Sequence, residues 1–194
     1  MIIIGLTGQT GAGKSTVAQL LKEYGCYHID ADALAKTVIQ SSETVLENLK
    51  NEFGNGIFKD GALDRKALAK KAFSSFKNTE KLNSITHPAV TKAIKSILKA
   101  QEKQGAKAVI IDAIALIESG ENELCDFTVA VVAPREERFK RIIKRDKLTA
   151  RQANERIDAQ KDESFYTENC TYTVRNYGDY SLKKELEQII SRLS

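Results

Sequence analysis

Cysteine is scarce in this chain and has no metal-binding spacing. The three cysteines, Cys26, Cys125 and Cys170, are odd in number and far apart in the sequence. Zinc sites use closely spaced Cys or His pairs, and disulfide frameworks use even sets of cysteines in short secreted chains. We therefore expect neither a structural zinc site nor a disulfide framework, and we interpret the three thiols as free in a reducing compartment.

Long apolar runs are also missing. No stretch approaches the roughly 20 consecutive apolar residues that a transmembrane helix needs. The apolar run at residues 1–6 is too short for a signal-peptide core and lacks a basic lead. We therefore expect a cytoplasmic protein without a membrane partner.

Positive charge is confined to one segment. The chain has a formal net charge of +4, yet residues 135–156 contain nine basic and four acidic groups, so the rest carries −1. Phe139 is the one aromatic residue in that segment, whereas nucleic-acid-binding surfaces combine basic and aromatic side chains. The pattern predicts a local anion site and no nucleic-acid partner.

The most specific motif is a complete G-x-x-x-x-G-K-[ST] phosphate-binding loop at residues 8–15. It follows an apolar run that predicts a buried strand, and it leads into a helical pattern. Such a loop turns its backbone N–H groups toward phosphates at a helix N-terminus. Its lysine, here Lys14, reaches the β- and γ-phosphates, and its hydroxyl residue, here Ser15, binds Mg²⁺. The sequence therefore predicts a nucleoside triphosphate site with Mg²⁺. The expected loop contacts are Gly8, Gly11, Ala12, Gly13, Lys14, Ser15 and Thr16.

Strand and helix patterns alternate along the chain. Short apolar runs predict strands at 2–6, 26–30, 108–112, 127–133 and 172–176, with helical patterns between them. This alternation predicts an α/β fold with a parallel five-stranded sheet flanked by helices. We expect one P-loop domain over residues 1–194. It would contain a helical acceptor-binding insertion at about 33–106, including a single helix over 33–53, and a helical lid at about 135–168.

Two carboxylates follow predicted strands, where ligands gather in open parallel sheets. Asp32 could accept the proton of an attacking hydroxyl or hold water around Mg²⁺. Alternatively, it caps a helix that starts near Ala33. Asp112 could likewise act around Mg²⁺ or cap a helix. The sequence leaves both pairs of alternatives open.

Several motifs together resemble the dephospho-coenzyme A kinase family. They are the loop itself, Ile29-Asp30-Ala31-Asp32, the segments at 60–65 and 82–88, Arg141, Arg145-Asp146, Gln160 and Asn176-Tyr177-Gly178. The family uses ATP to phosphorylate the ribose 3′-hydroxyl of dephospho-coenzyme A, the last step of coenzyme A synthesis. The resemblance extends over nearly the whole chain.

The resemblance implies roles for individual residues. It implies catalytic roles for Asp32, Lys14, Arg141 and Arg145, with Asp32 as general base or orienter and the two arginines on the transferring phosphoryl group. It places Arg145 and Asn176 on the nucleotide, and Thr7, Asp32, Arg65, His87 and Glu118 on the acceptor. The implied partners are ATP with Mg²⁺ and dephospho-coenzyme A, and the chain is expected to be a monomer or a weak homo-oligomer.

Some assignments keep alternatives. Arg65 could instead pair with Asp60 or Asp64, and His87 could be structural, because it precedes Pro88, which we expect to begin a helix. The family's Pro-Leu-Leu-Phe-Glu stretch reads Ile-Ala-Leu-Ile-Glu at 114–118 here, which keeps a kinase of another small nucleotide open. A nucleotide-dependent switch is the alternative outside the kinases, although the chain lacks the Asn-Lys-x-Asp motif of GTPases.

Overall fold

The computed structural model describes residues 1–178 and 181–193. Its strands, in chain order, are β1 (Ile2–Gly8), β2 (Tyr27–Asp30), β3 (Phe58–Lys59), β4 (Ala62–Leu63), β5 (Ala108–Asp112), β6 (Phe127–Val132) and β7 (Tyr172–Arg175). Its α-helices are α1 (Lys14–Glu23), α2 (Ala31–Ser41), α3 (Glu43–Phe53), α4 (Arg65–Ala72), α5 (Phe76–Lys103), α6 (Arg135–Asp146), α7 (Ala150–Asp158), α8 (Glu163–Asn169), α9 (Leu182–Glu185) and α10 (Glu187–Ile190).

The chain forms two compact units. The first, which we call the sheet unit, comprises residues 1–30 and the chain from residue 100 onward. The second, the helical unit, comprises residues 31–99. Across residues 1–178 and 181–193, none of the helices combines the length and apolar character that a membrane crossing requires.

The sheet unit contains a five-stranded parallel sheet in the order β2-β5-β1-β6-β7. The apolar runs predicted as strands form it because both faces are covered: Ile4, Ile110 and Val129 are completely buried. Val17 and Leu21 of α1 belong to the same core cluster as Ile4. The predicted fold class is therefore confirmed, and the phosphate-binding loop follows the central strand β1.

The helical unit has its own core and a small hairpin. Leu49, Ile57 and Leu68 lie in one buried cluster. The strands β3 and β4 pair antiparallel across Asp60 and Gly61, which have φ values of 51° and 80°. Positive φ at both central residues is typical of tight two-residue hairpin turns. These two short strands were not among those predicted from the sequence.

Two predicted helix boundaries are wrong. Ser42 divides residues 33–53 into α2 and α3, because its hydroxyl accepts a hydrogen bond from the Val45 N–H at 3.4 Å and caps α3. Pro88 does not begin a helix but lies inside α5. A proline inside a helix removes its own N–H from the helix ladder and crowds the carbonyl four residues earlier, so the helix continues only where its packing offsets this cost. The buried face of α5, which includes Val90, Ile94 and Leu98, extends on past it.

The cysteines are free thiols, as predicted. Burial raises the pKa of the Cys26 thiol to about 11. Burial, with help from the nearby Asp126 and Glu121 carboxylates, raises the pKa of Cys125 to about 12. Both thiols are therefore protonated at neutral pH, a state in which cysteine is a poor nucleophile.

Candidate active site

The phosphate-binding loop owes its shape to three glycines. Gly8, Gly11 and Gly13 have φ values of 138°, 79° and 99°, a region that disfavours other residues. A Cβ at Gly8 would lie 2.2 Å from the Val131 carbonyl oxygen, and a Cβ at Gly13 would lie 2.0 Å from Asn176 Nδ2. The loop therefore packs directly against Val131 and Asn176, and a side chain at either glycine would collide with them.

The start of α1 suits an anion. Gly13 occupies the N-cap position, and no side chain caps the helix there. The unpaired N–H groups of a first helical turn attract phosphate through hydrogen bonding and the helix dipole. Ser15 and Thr16, both predicted ligand contacts, are exposed in this turn, whereas Ala12 is completely buried.

Lys14 lies beside a carboxylate at the end of the neighbouring strand. Its Nζ is 3.8 Å from Asp112 Oδ1, and the two side chains are only 13% and 15% exposed. Turns rather than a helix follow Asp112, so its interpretation as a helix cap is wrong. The carboxylate instead gives the loop lysine a partner at the place where phosphates are expected.

Arg141 of α6 is bound to the backbone of the loop. Its Nη1 donates to the carbonyl oxygens of Gly11 and Ala12 at 3.3 and 3.1 Å, and its Nη2 donates to the Asn176 carbonyl at 2.7 Å. Asn176 Nδ2 donates to the Ala12 carbonyl at 2.9 Å. Arg141 and Asn176 thus connect the loop backbone to α6 and to the chain after β7. The sequence did not predict this role.

Arg145, the other arginine predicted to act on the phosphoryl group, has different partners. Arg145 is largely exposed and donates from Nε and Nη2 to the two carboxylate oxygens of Asp146, at 2.7 and 2.9 Å. Arg156 donates to the same carboxylate at 2.6 Å. These arginines hold the pKa of the Asp146 carboxyl below its usual range. Arg141 and Arg145 share a helix, but only Arg141 is hydrogen-bonded to the loop.

Glutamines tie the chain after α7 to the first loop residues. The backbone N–H of Thr10 donates to Gln160 Oε1 at 2.8 Å, and Gln9 Nε2 donates to the Lys161 carbonyl at 2.9 Å. The resemblance included Gln160 but gave it no role. These bonds couple the segment expected to be a lid directly to the loop.

Thr7 and Glu118 differ in accessibility. Thr7 is completely buried, and its hydroxyl donates to the Ile114 carbonyl at 3.1 Å, so it anchors the altered 114–118 stretch instead of facing solvent. Its assignment as an acceptor contact stays a prediction, and in this structure the hydroxyl is used internally. Glu118 is exposed. Burial raises the pKa of the Tyr166 phenol, and the Glu118 carboxylate adds to that rise.

In the helical unit, Asp32 lies within the first turn of α2, which already begins at Ala31. Asp32 is therefore not the N-cap residue, and the capping interpretation is wrong. Its side chain is partly exposed. A carboxylate in a first turn is favoured by the helix dipole, which stabilises its charged form.

Arg65 and His87 are also in the helical unit. Arg65 is exposed at the start of α4, and the described residues give it no ion pair. The Asp64 carboxylate instead caps α4 by accepting from the N–H groups of Lys66 and Ala67. His87 lies on α5 in an open groove of about 700 Å³. Burial lowers its pKa, so the imidazole is neutral at pH 7.

Comparison with known proteins gives one consistent result. The dephospho-CoA kinase family model matches residues 2–181. The chain belongs to the dephospho-CoA kinase family. A dephospho-CoA kinase of Corynebacterium jeikeium (strain K411) is 36% identical over 189 residues, 97% of this chain and 96% of that protein.

Two solved structures are also similar to this chain. TT1252 from Thermus thermophilus matches with a TM-score of 0.84 at 34% identity, over 100% of this chain and 98% of that one. A dephospho-CoA kinase from Campylobacter jejuni matches with a TM-score of 0.69 at 25% identity, over 99% and 96%. The predicted activity is therefore confirmed: the chain is an ATP-dependent dephospho-CoA kinase, which performs the final step of coenzyme A biosynthesis.

The close contact at Gly13 leads to a prediction for this kinase. Gly13→Ala would drive a methyl group into the Asn176 carboxamide at a positive φ, so the loop must open. We expect the affinity for ADP, measured by calorimetry, to fall about 5–150-fold, as an overpacking cost of about 1–3 kcal/mol implies.

Gly25→Ala is the matched control. Gly25 also has a positive φ, 85°, but an added Cβ would meet nothing within 4 Å. This variant has the backbone strain alone, so its melting temperature should fall while its ADP affinity stays at the wild-type value. Equal ADP affinities for the two variants would contradict the tight packing of the loop against Asn176.

Proposed function

We propose that this kinase transfers the γ-phosphoryl group of ATP to the ribose 3′-hydroxyl of dephospho-CoA, and that each of its two units binds one substrate. The sheet unit binds ATP through its loop, and the helical unit binds the acceptor. The observation that carries the proposal is the pairing of Lys14 with Asp112 at the mouth of a complete phosphate-binding loop.

On the nucleotide side, phosphates take the place of the Asp112 carboxylate as partners of Lys14. The N–H groups at the start of α1 bind the same phosphates. Arg141 and Asn176 hold the loop in place by donating to the carbonyl oxygens of Gly11 and Ala12. Phosphoryl transfer depends mainly on such positioning and charge neutralisation.

The residues around the loop also fit a magnesium ion. Magnesium in kinases is held by one or two protein oxygens together with substrate phosphates and water. The exposed Ser15 hydroxyl and the Asp112 carboxylate are such oxygens. When bound, Mg²⁺ supplies charge neutralisation on the phosphate oxygens. Ser15 would hold it directly, and Asp112 through water.

On the acceptor side, Asp32 takes the proton of the 3′-hydroxyl or orients that hydroxyl for attack. Asp32 follows the end of β2 by two residues, and ligands of open parallel sheets bind at the carboxyl ends of the strands. Arg65 binds the acceptor's pyrophosphate through its guanidinium, which suits bidentate phosphate contacts. His87, neutral at pH 7, hydrogen-bonds the acceptor.

Helices α6 to α8 form the lid. There, Arg145 gives up its hydrogen bonds to Asp146 and binds the transferring phosphoryl group. Arg145 is already exposed and held by charged hydrogen bonds in a bidentate geometry that a phosphate can reproduce. A cation there has its greatest effect when water is excluded from the site.

The proposal is tested by following ADP release with Mg-ATP and a panel of acceptors. We expect dephospho-CoA to accelerate ADP release at least about 100-fold over no acceptor, because both substrates are needed to assemble the site. Mass spectrometry should locate the new phosphate on the ribose 3′-oxygen. Faster turnover with another 3′-hydroxyl nucleotide would favour the alternative acceptor that the altered 114–118 stretch keeps open. Equal release without any acceptor would indicate a hydrolytic switch.

A further inference from the structure

Asp112 has a second partner that the sequence did not reveal. His28 Nε2 lies 3.2 Å from Asp112 Oδ2, while Lys14 Nζ faces the other carboxylate oxygen. A carboxylate only accepts hydrogen bonds, so the imidazole Nε2 carries the hydrogen and donates it. We propose that His28 is a positioning residue that fixes the Asp112 carboxylate for the magnesium–nucleotide complex.

The sheet register brings the two side chains together. In the parallel pairing of β2 with β5, His28 lies opposite Ile110 and Asp30 lies opposite Asp112. Side chains two residues apart on a strand share a face, so His28, Asp30 and Asp112 lie on one face of the sheet. His28 and Asp112 are therefore diagonal neighbours, a separation that a long or aromatic side chain can bridge.

The hydrogen bond between His28 and Asp112 has its largest effect on the Asp112 carboxylate when a nucleotide binds. Lys14 then turns to the phosphates, and Asp112 loses the cation beside its Oδ1. The Asp112 side chain is 15% exposed, and a poorly solvated carboxylate without a hydrogen bond is costly. The His28 bond to Oδ2 persists through this exchange. It keeps Oδ1 directed at the place that Lys14 leaves, where water on Mg²⁺ needs an acceptor.

This inference rests on the proposed placement of Mg²⁺ near Ser15 and Asp112, so its test separates binding from turnover. The binding measurement is the affinity for a non-hydrolysable ATP analogue, determined by calorimetry with Mg²⁺ and again with EDTA. The ratio of the two affinities reports the coupling to Mg²⁺. Steady-state kinetics with dephospho-CoA then give kcat and the Mg²⁺ concentration at half-maximal rate.

Two variants of His28 distinguish positioning from packing. His28→Leu removes the donor, and partners of this kind typically change metal affinity or activity about 10–100-fold. We expect the Mg²⁺-linked gain in affinity to fall by about that factor and the half-saturating Mg²⁺ concentration to rise, with the EDTA affinity unchanged. His28→Gln carries an amide N–H at the same distance along its side chain and should restore most of the gain.

The matched control is Tyr27→Leu, an exposed neighbour on β2 whose side chain points to the opposite face. It should match the wild type in every measurement. An unchanged Mg²⁺-linked gain in His28→Leu, with wild-type turnover of dephospho-CoA intact, would overturn the role of His28 and leave the proposed function standing. Absence of any Mg²⁺-linked gain in the wild type would overturn the magnesium placement itself.

Discussion

Asp32→Asn is expected to lower kcat about 10²–10⁴-fold, the usual contribution of a positioned general base. Asparagine keeps the size of the side chain and its helix position but cannot take a proton. The KM for ATP should change little, because ATP is proposed to bind the sheet unit, whereas Asp32 belongs to the helical unit. Steady-state kinetics with both substrates varied separately give the two parameters.

The control is the same chemical change at Asp60, which is exposed at the tip of the hairpin with a φ of 51°. Asparagine tolerates that conformation, so Asp60→Asn should keep the wild-type kcat. If Asp32→Asn also kept a near-normal kcat while its thermal unfolding stayed cooperative, Asp32 would not act as a general base.

The fold and the loop could be predicted because their signals are local. An apolar run, a glycine-rich turn and a helical pattern follow one another within residues 2–24, and each element is specified by its own residues. The buried parallel strands are likewise visible as nearly continuous apolar runs. Boundaries such as Ser42 and Pro88 were less visible, because a cap and an interior proline depend on whether the helix packs beyond them.

The finer structure of the site depends on contacts between distant parts of the chain. Gln160 reaches Thr10 across 150 residues, and Asp112 reaches His28 across 84. Neither contact follows from spacing within a motif. Residue type gave little help for His28, because a lone histidine in a strand is usually part of the packing. Its neighbour could be identified only once the strand order was known.

Arg141 shows the same limit, since the charge pattern indicated only that it belongs to a basic segment. The structure distinguishes two effects of the side chain, its charge and its fork of donors. All three of its hydrogen bonds go to backbone carbonyls, two of them in the loop. The fork geometry therefore helps to hold the loop in its conformation, and the charge would add a positive potential where the phosphates are proposed to bind.

Arg141→Ala is accordingly expected to lower kcat by about 10²–10³-fold, comparable to the loss of one well-placed donor in a preorganised site. Affinity for ADP should fall as well, because the loop loses two carbonyl contacts before any nucleotide arrives. Arg141→Lys should not rescue either quantity: a single ammonium keeps the charge but cannot reproduce the planar fork that bonds both Ala12 and Asn176. Kinetics together with ADP calorimetry measure both effects.

Arg151→Ala is the control for charge alone. Arg151 lies on α7, is 88% exposed and, among residues 1–178 and 181–193, pairs only with Glu155 four residues on. Its loss should therefore leave kcat and ADP affinity unchanged. If Arg141→Lys restored the activity, the positive charge rather than the hydrogen-bonded fork would be the contribution of Arg141. If Arg151→Ala were as damaging as Arg141→Ala, the basic segment would act as a diffuse field, and neither arginine would have an individual role.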